Sequence, residues 1–305
     1  MEMMKLNSVE RSILEAFENK RQIPGNLAPS EENILRASLQ LMLAAGKRLR
    51  SVRNQVDLIR LAWKEDGSVV TPYDLEVEAL VKEGLAGAFP DFGFIGEEGG
   101  GRFGDNEFTA AIDPIDGSSS FTAHDVTNVV SLSVFRREEV VFGVVLNHST
   151  GEVGYGVGPH PTRLIQLSCF GECHSARDLP SKKAERKGGA IMVNLQPAKG
   201  HRRYEKALKG AWRGRRIQYV KSQGGSPALG LLEAAKGHYI YVHPWELSPA
   251  TPYDLSAGIK LVENAGGEVT SLEGKRVRPF GHYGVFVAGT NKIHLEVVRE
   301  ILRSS

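Results

Sequence analysis

The chain has 305 residues, enough for one large domain or two lobes with a core that needs no covalent staples. A hydrophobic content of 41%, a charged content of 24% and a net charge of +2 are those of an ordinary globular protein, with no global pull toward nucleic acid or a membrane. No apolar run is long enough to span a bilayer, and the charged, periodic start MEMMKLNSVERSILEAF is unlike a signal peptide, so cytoplasmic residence is the default expectation.

Val9, Ile13, Leu14 and Phe17 recur at helical spacing over residues 8–20, and RQIPGNLAPS breaks the pattern. Glu31 to about Trp63 carries the first long helical pattern. Ile34, Leu35, Leu39, Leu41, Met42 and Ala45 form its apolar stripe, Ser30 is its cap, and Gly46 is a point of interruption. Lys64–Ser68 is a polar turn that leads through Val69 and Val70 to Thr71-Pro72-Tyr73-Asp74. Threonine before a proline at the first helical position marks a helix start. Asp74 then lies in the first turn, where the helix dipole favours a carboxylate, and this accounts for Asp74 without any chemistry. An amphipathic helix follows from Leu75 to Phe89, and Pro90–Gly93 turns into a strand over 92–96.

Residues 127–165 alternate in the segments TNVVSLSVF, EVVFGVVLN and GEVGYGV, which read as an antiparallel meander with turns at 136–139 and 148–151. Cys169 and Cys173 are the only cysteines. With His174 they make CFGECH, but a structural zinc site needs a second ligand pair, so they read as reduced thiols. SKKAERKGG and HRRYEKALKGAWRGRR are basic and read as a solvated helix face with loops. A basic rim that attracts a phosphorylated substrate is the second reading, and nucleic acid is set aside because no aromatic-interleaved motif accompanies the charge. From about residue 188, strands AIMVNL, RIQYVKS, HYIYVH, GEVTSL and GVFVAG alternate with helices near 202–209, 226–236, 254–265 and 291–302, an α/β pattern. No internal repeat is evident. The organisation expected is an N-terminal extension over 1–29, an α+β lobe over 30–170 and an α/β lobe over 171–305, forming one catalytic unit.

The stretch 94–121 is where chemistry concentrates. FIGEEGG and FTAAIDPIDGSSSF are apolar runs that end in acids, Glu97 and Glu98 after the first, Asp113 and Asp116 within the second. Adjacent glutamates on an extended chain cannot point the same way, so Glu97 is expected as the inward-facing ligand and Glu98 as an acid behind the ligands or at the surface. Pro114 forces Asp113 out of the helical region and Gly117 permits a close bend, so the two aspartates should flank a tight turn. The serines 118–120 favour a helix cap. Two carboxylates and the Ile115 carbonyl offer hard oxygen ligands for Mg²⁺, and the amide N–H groups of Gly117 and Ser118 form an anion cradle beside them.

At these residues the chain resembles the inositol monophosphatase and fructose-1,6-bisphosphatase superfamily. FIGEE at 94–98 and DPIDGS at 113–118 carry the resemblance, supported by VTPYD at 70–74, YDLSAG at 253–258 and ENAGGEV at 263–269, in the family's order over roughly residues 30–300. The resemblance implies a layered αβαβα sandwich of the sugar phosphatase fold, α+β or α/β in class. It implies a Mg²⁺-dependent, lithium-sensitive phosphatase with two or three ions per site, a small phosphorylated metabolite as partner, no nucleic acid or membrane, and a homodimer. By the family pattern Glu97, Asp113 and the Ile115 carbonyl hold a first ion, Asp113, Asp116 and Asp254 a second, and a third lies near Glu97. Asp74 and Ser118 polarise the attacking water, with Glu97 counted among the catalytic acids. Gly117 and Ser118 receive the phosphate, and Lys64 matches a basic residue on a mobile loop. Ser118 replaces the commoner threonine, Ser120 the commoner asparagine and Tyr253 the commoner tryptophan. Glu246, in the long stretch HPWELSPATP, is a candidate substrate contact. The substrates implied are inositol-1-phosphate or fructose-1,6-bisphosphate. A 3′(2′)-nucleotide phosphatase and a non-catalytic phosphometabolite-binding relative are the alternatives.

Overall fold

The computed structural model describes residues 6–53, 62–64, 69–168, 172–179, 190–194, 201–223, 225–244, 249–282 and 284–305. Two helices open the chain, α1 (Ser8–Glu18) and α2 (Glu31–Val52), then a short pair of strands, β1 (Ala62–Trp63) and β2 (Val69–Val70), and α3 (Pro72–Ala88). Next come β3 (Gly93–Gly96), β4 (Phe108–Asp116), the single turn α4 (Ser118–Thr122) and a meander of β5 (Val129–Arg136), β6 (Glu139–Asn147), β7 (Glu152–Val157), β8 (Arg163–Ser168) and β9 (Glu172–Asp178). The remainder alternates: β10 (Ala190–Asn194), α5 (His201–Arg213), β11 (Tyr219–Gln223), α6 (Pro227–Ala235), β12 (Tyr239–His243), β13 (Pro249–Ala250), α7 (Pro252–Asn264), β14 (Glu268–Ser271), β15 (Gly281–His282), β16 (Phe286–Gly289) and α8 (Lys292–Arg303).

The larger sheet has the order β3-β4-β5-β6-β7-β8-β9 and the smaller β11-β10-β12-β16-β14. The meander expected over 127–165 is antiparallel through β5, β6 and β7, and the same pairing extends beyond it to β4 and to β8 and β9, while β10 pairs in parallel with β11 and β12. Alternate strand residues feed different cores. Ile112, Leu132, Val144 and Leu146 pack toward α1, α2 and α3, whereas Val129 and Val145 share a core with α6, α7 and the inner face of the small sheet. Ile240 and Val242 turn the other way, toward α5 and α8. The layers therefore run helix, sheet, helix, sheet, helix, as expected.

The N-terminal helix is latched onto the large sheet. Glu10 is buried, and its carboxylate accepts from Tyr155 Oη at 2.8 Å and from Arg163 Nε and Nη2 at 2.8 and 2.9 Å. Burial works against the charge, but these bonds outweigh it and hold the Glu10 carboxyl below its ordinary range.

The helix expected over 31–63 ends at Val52, and Ala62–Trp63 is extended, pairing antiparallel with Val69–Val70. The consecutive apolar residues Leu61, Ala62 and Trp63 have lost helical spacing and serve a strand equally well. The serines after Gly117 do not cap α4. Gly117 itself is the N-cap, at φ +99°, with no side-chain cap bond.

Candidate active site

Helix starts and strand ends meet here. α3 begins with Thr71 as N-cap, whose amide and hydroxyl donate to Asp74 Oδ2 at 2.7 and 2.6 Å. Asp74 is therefore the capping acid that its position suggests. Its other oxygen, Oδ1, accepts from Ser118 Oγ at 3.2 Å, and the same hydroxyl lies 3.0 Å from the Ile115 carbonyl. Local capping and a link to the DPIDGS turn coexist on one carboxylate.

Asp113 and Asp116 end β4, whose register with β5 shifts between them. Asp113 Oδ1 accepts the Ile115 amide at 3.0 Å. Asp116 Oδ2 accepts from Ser226 Oγ at 2.8 Å and from the Ala228 amide at 2.7 Å, so the start of α6 holds it. Asp254, in the first turn of α7, accepts from the Thr251 hydroxyl. Gly117 closes the turn. A Cβ there would lie 3.1 Å from the Thr127 carbonyl oxygen and 3.4 Å from Ser226 Cβ.

The acids share one electrostatic environment. Burial pushes the Asp113 carboxyl well above its ordinary value, reinforced by Glu97, Asp116 and Asp254. Burial likewise raises Asp254, with Asp116 and Glu97 adding to it, and raises Asp116 to about 8 against the bonds from Ser226 and Ala228. Asp74 is pushed up to about 6, again by burial first. Lys64 is the cation seen to bond into this cluster. Its Nζ donates to Glu97 Oε1 and Glu98 Oε1, each at 2.7 Å. Burial disfavours the ammonium, but the bonds to both glutamates more than restore it.

Glu97 and Glu98 do not point to opposite sides, and Glu98 lies behind the site rather than at the surface. Both side chains turn to Lys64, and Glu98 is the more buried, 6% exposed against 22% for Glu97. The alternation argument needs extended backbone, and residues 97–99 form a turn. That turn is held by Glu78 of α3, whose carboxylate accepts the Glu98 amide at 2.9 Å and the Gly99 amide at 2.6 Å.

Asp74, Glu97, Asp113, Asp116, Asp254, Ser118, the Ile115 carbonyl, Gly117 and Lys64 thus belong to one region; Glu246 lies outside the described residues. Sequence reading missed Glu78, Ser226 and the Ala228 amide. It also missed that Thr-Pro-Tyr-Asp-Leu occurs twice, at 71–75 and 251–255, opening the two helices that present Asp74 and Asp254.

The residues fit divalent cations in chemistry: hard oxygen donors, buried, with an excess of negative charge that raises carboxyl pKa values. Among the described residues no three acids yet surround a single point at ligand distance. The oxygens are instead spent on Lys64, Ser226, Ala228 and the local turn.

The profile of the inositol monophosphatase family matches residues 30–305. The chain belongs to the inositol monophosphatase family, a family of phosphoric monoester hydrolases. It is 30% identical over 279 residues to the fructose-1,6-bisphosphatase/inositol-1-monophosphatase of Thermotoga maritima, covering 87% of this chain and 94% of that protein. Among solved structures, the extragenic suppressor protein suhB of Bartonella henselae aligns with a TM-score of 0.74 at 20% identity, covering 89% of this chain and 99% of that one. An IMPase/NADP phosphatase complexed with Mg²⁺ and phosphate aligns with a TM-score of 0.66 at 16% identity, over 85% and 92% of the two chains. At these identities the structures speak to the fold, which agrees with the layered sandwich. No helix among the described residues is long and apolar enough to cross a membrane.

Proposed function

We propose that this protein is a Mg²⁺-dependent phosphomonoesterase acting on a small sugar or inositol phosphate, with inositol-1-phosphate and fructose-1,6-bisphosphate as first candidates. The observation that carries the reading is the gathering of Glu97, Asp113, Asp116 and Asp254 in one buried field beside the Asp74–Ser118 pair. The relative named for both activities and the neighbour complexed with Mg²⁺ and phosphate support it.

Glu97, Asp113, the Ile115 carbonyl, Asp116 and Asp254 would hold Mg²⁺. When bound, Mg²⁺ supplies Lewis acidity toward the phosphate ester and neutralises the acids. Ser118 Oγ, fixed between Asp74 and Ile115, positions the attacking water. Asp74 takes up the developing proton through that hydroxyl. Thr71 keeps Asp74 oriented by occupying its second oxygen. Gly117 lets the chain bend tightly enough for the Ser118 amide to approach a phosphate oxygen. Lys64 compensates Glu97 and Glu98 and would release Glu97 to a cation.

The test is phosphate release from inositol-1-phosphate, fructose-1,6-bisphosphate and adenosine 3′,5′-bisphosphate, each with and without Mg²⁺. Turnover of the first two should require the metal, and preference for the third would replace the sugar reading with a nucleotidase. Asp113→Asn should lower turnover by about a thousandfold while leaving the unfolding midpoint near that of the parent. Parental turnover in that variant would remove Asp113 from the machinery.

A further inference from the structure

The charge of this chain is unevenly placed. Between Arg202 and Lys221 it carries eight lysines and arginines against Glu205 alone, leaving 30 against 35 acids elsewhere. The excess is displayed at the surface. Arg202, Arg203, Lys206, Lys209, Arg213, Arg215 and Arg216 are all exposed. Lys209 is paired with Glu205 and Arg216 lies near Glu300, but Arg202, Lys206, Arg213 and Arg215 meet no acid among the described residues.

Their arrangement is regular. At about 3.6 residues per turn, Arg202, Lys206, Lys209 and Arg213 fall on one stripe of α5, and their span at about 1.5 Å per residue is about 16 Å. The opposite face, Tyr204, Leu208 and Ala211, is sunk in the core between α5, α8 and the small sheet, so α5 has no apolar face left to lie in a bilayer. Beside the stripe, Trp212 is 49% exposed, and Tyr219 on the edge strand β11 is 48% exposed. Cations in a line neutralise successive phosphates, and exposed rings beside them accept unstacked bases. The sequence offered no interleaved aromatic pattern; in the fold, Trp212 stands at the surface of α5 next to the stripe and Tyr219 at the surface of β11.

We propose that the outer face of α5, with the edge strand β11, is a docking surface for a single-stranded polynucleotide. Arg202, Lys206, Lys209 and Arg213 meet its phosphates, and Trp212 stacks on a base. Arg202, Lys206, Lys209 and Arg213 make no bond to the acid cluster among the described residues, so binding does not depend on the phosphatase reading.

The test is fluorescence anisotropy of a labelled single-stranded RNA of about 20 nucleotides. The full chain is titrated at about 50 mM and about 200 mM salt, with saturating inorganic phosphate present to occupy the acidic cleft. Four phosphate contacts predict an affinity loss of about 50-fold between those salt concentrations. Replacing Arg202, Lys206, Lys209 and Arg213 together by glutamine should weaken binding by at least about tenfold and flatten the salt dependence. Phosphate release should be unchanged. Trp212→Ala should weaken binding with the salt dependence intact, separating stacking from charge. No anisotropy change at low salt, or an equal salt dependence in the glutamine variant, would overturn the proposal. So would capture by phosphatidylserine vesicles without RNA binding, or salt-sensitive self-association in sedimentation in place of RNA binding.

Discussion

Glu78 sits one helical turn after Asp74, and its buried carboxylate collects two amides from the turn that presents Glu97. A carboxylate accepting two N–H groups fixes that turn from the side of α3. Glu78→Gln keeps the shape but loses the charge and one acceptor, so we expect a stability loss of about 2 kcal/mol. The concentration of Mg²⁺ needed for half-maximal phosphate release should rise several-fold, because Glu97 is no longer held in place. Glu76→Gln, on the same helix, removes only an exposed pair with Arg48 and should cost under about 1 kcal/mol. Equal behaviour of the two variants in urea unfolding and Mg²⁺ titration would refute a positioning role for Glu78. Nothing local in DLEVEAL distinguishes Glu78 from Glu76, since its partners lie 20 and 21 residues further on. Asp74 was legible because its cap is local; Glu78 was not because its role is tertiary.

At the scale of elements, the site is assembled from the starts of α3, α6 and α7 and the end of β4. Threonine before proline made the start of α3 readable from sequence, while the same signals at Ser226-Pro227 and Thr251-Pro252 went unused and the helix of Asp254 was expected to begin at 254 rather than at Pro252. The convergence of the starts was readable only through family resemblance, because it depends on how closely helices approach the sheets. Gly143 of β6 shows that dependence. A Cβ there would lie 2.9 Å from Ala257 Cα and 3.0 Å from its carbonyl oxygen, so the bare backbone of β6 is what lets α7 settle on the large sheet. Ala257 is three residues beyond Asp254. Gly143→Ala should therefore cost about 1–3 kcal/mol and lower turnover, because α7 must lift and carry Asp254 with it. Gly210 of α5 has nothing within 4 Å of the corresponding position, so Gly210→Ala should stabilise by up to about 1 kcal/mol. Midpoints of chemical unfolding, compared with turnover, check both signs. A harmless Gly143→Ala would mean that α7 is not seated by this contact.

One contribution to the molecule's response to acid comes from a histidine outside the acid cluster. His148 follows β6 and is buried against Phe121 of α4, with ring centroids 5.6 Å apart. Asn128 donates its amide to the Asp125 carbonyl, so its oxygen is the acceptor facing His148 Nε2 at 2.5 Å. The imidazole therefore carries its proton on Nε2. Nδ1 is buried with no hydrogen-bond partner among the described residues. A second proton would create a cation in the interior, near Arg53 and Arg50 at the end of α2. Burial first, and those arginines second, depress the His148 pKa to about 3. The folded state then binds fewer protons than the unfolded chain, whose histidine titrates near 6.5. The contribution to stability is complete above about pH 6.5 and declines as pH falls toward 3, where the folded protein also takes up the proton. Between pH 7 and pH 5 this one group should remove about 2 kcal/mol. His148→Gln retains a donor to Asn128 but has no such titration. Its loss of stability over the same interval should be smaller than the parent's by about that amount, while changes common to both proteins cancel. Urea unfolding of both at the two pH values, at fixed Mg²⁺, measures the difference directly. Identical losses would show that His148 takes up its proton without unfolding the layers around it.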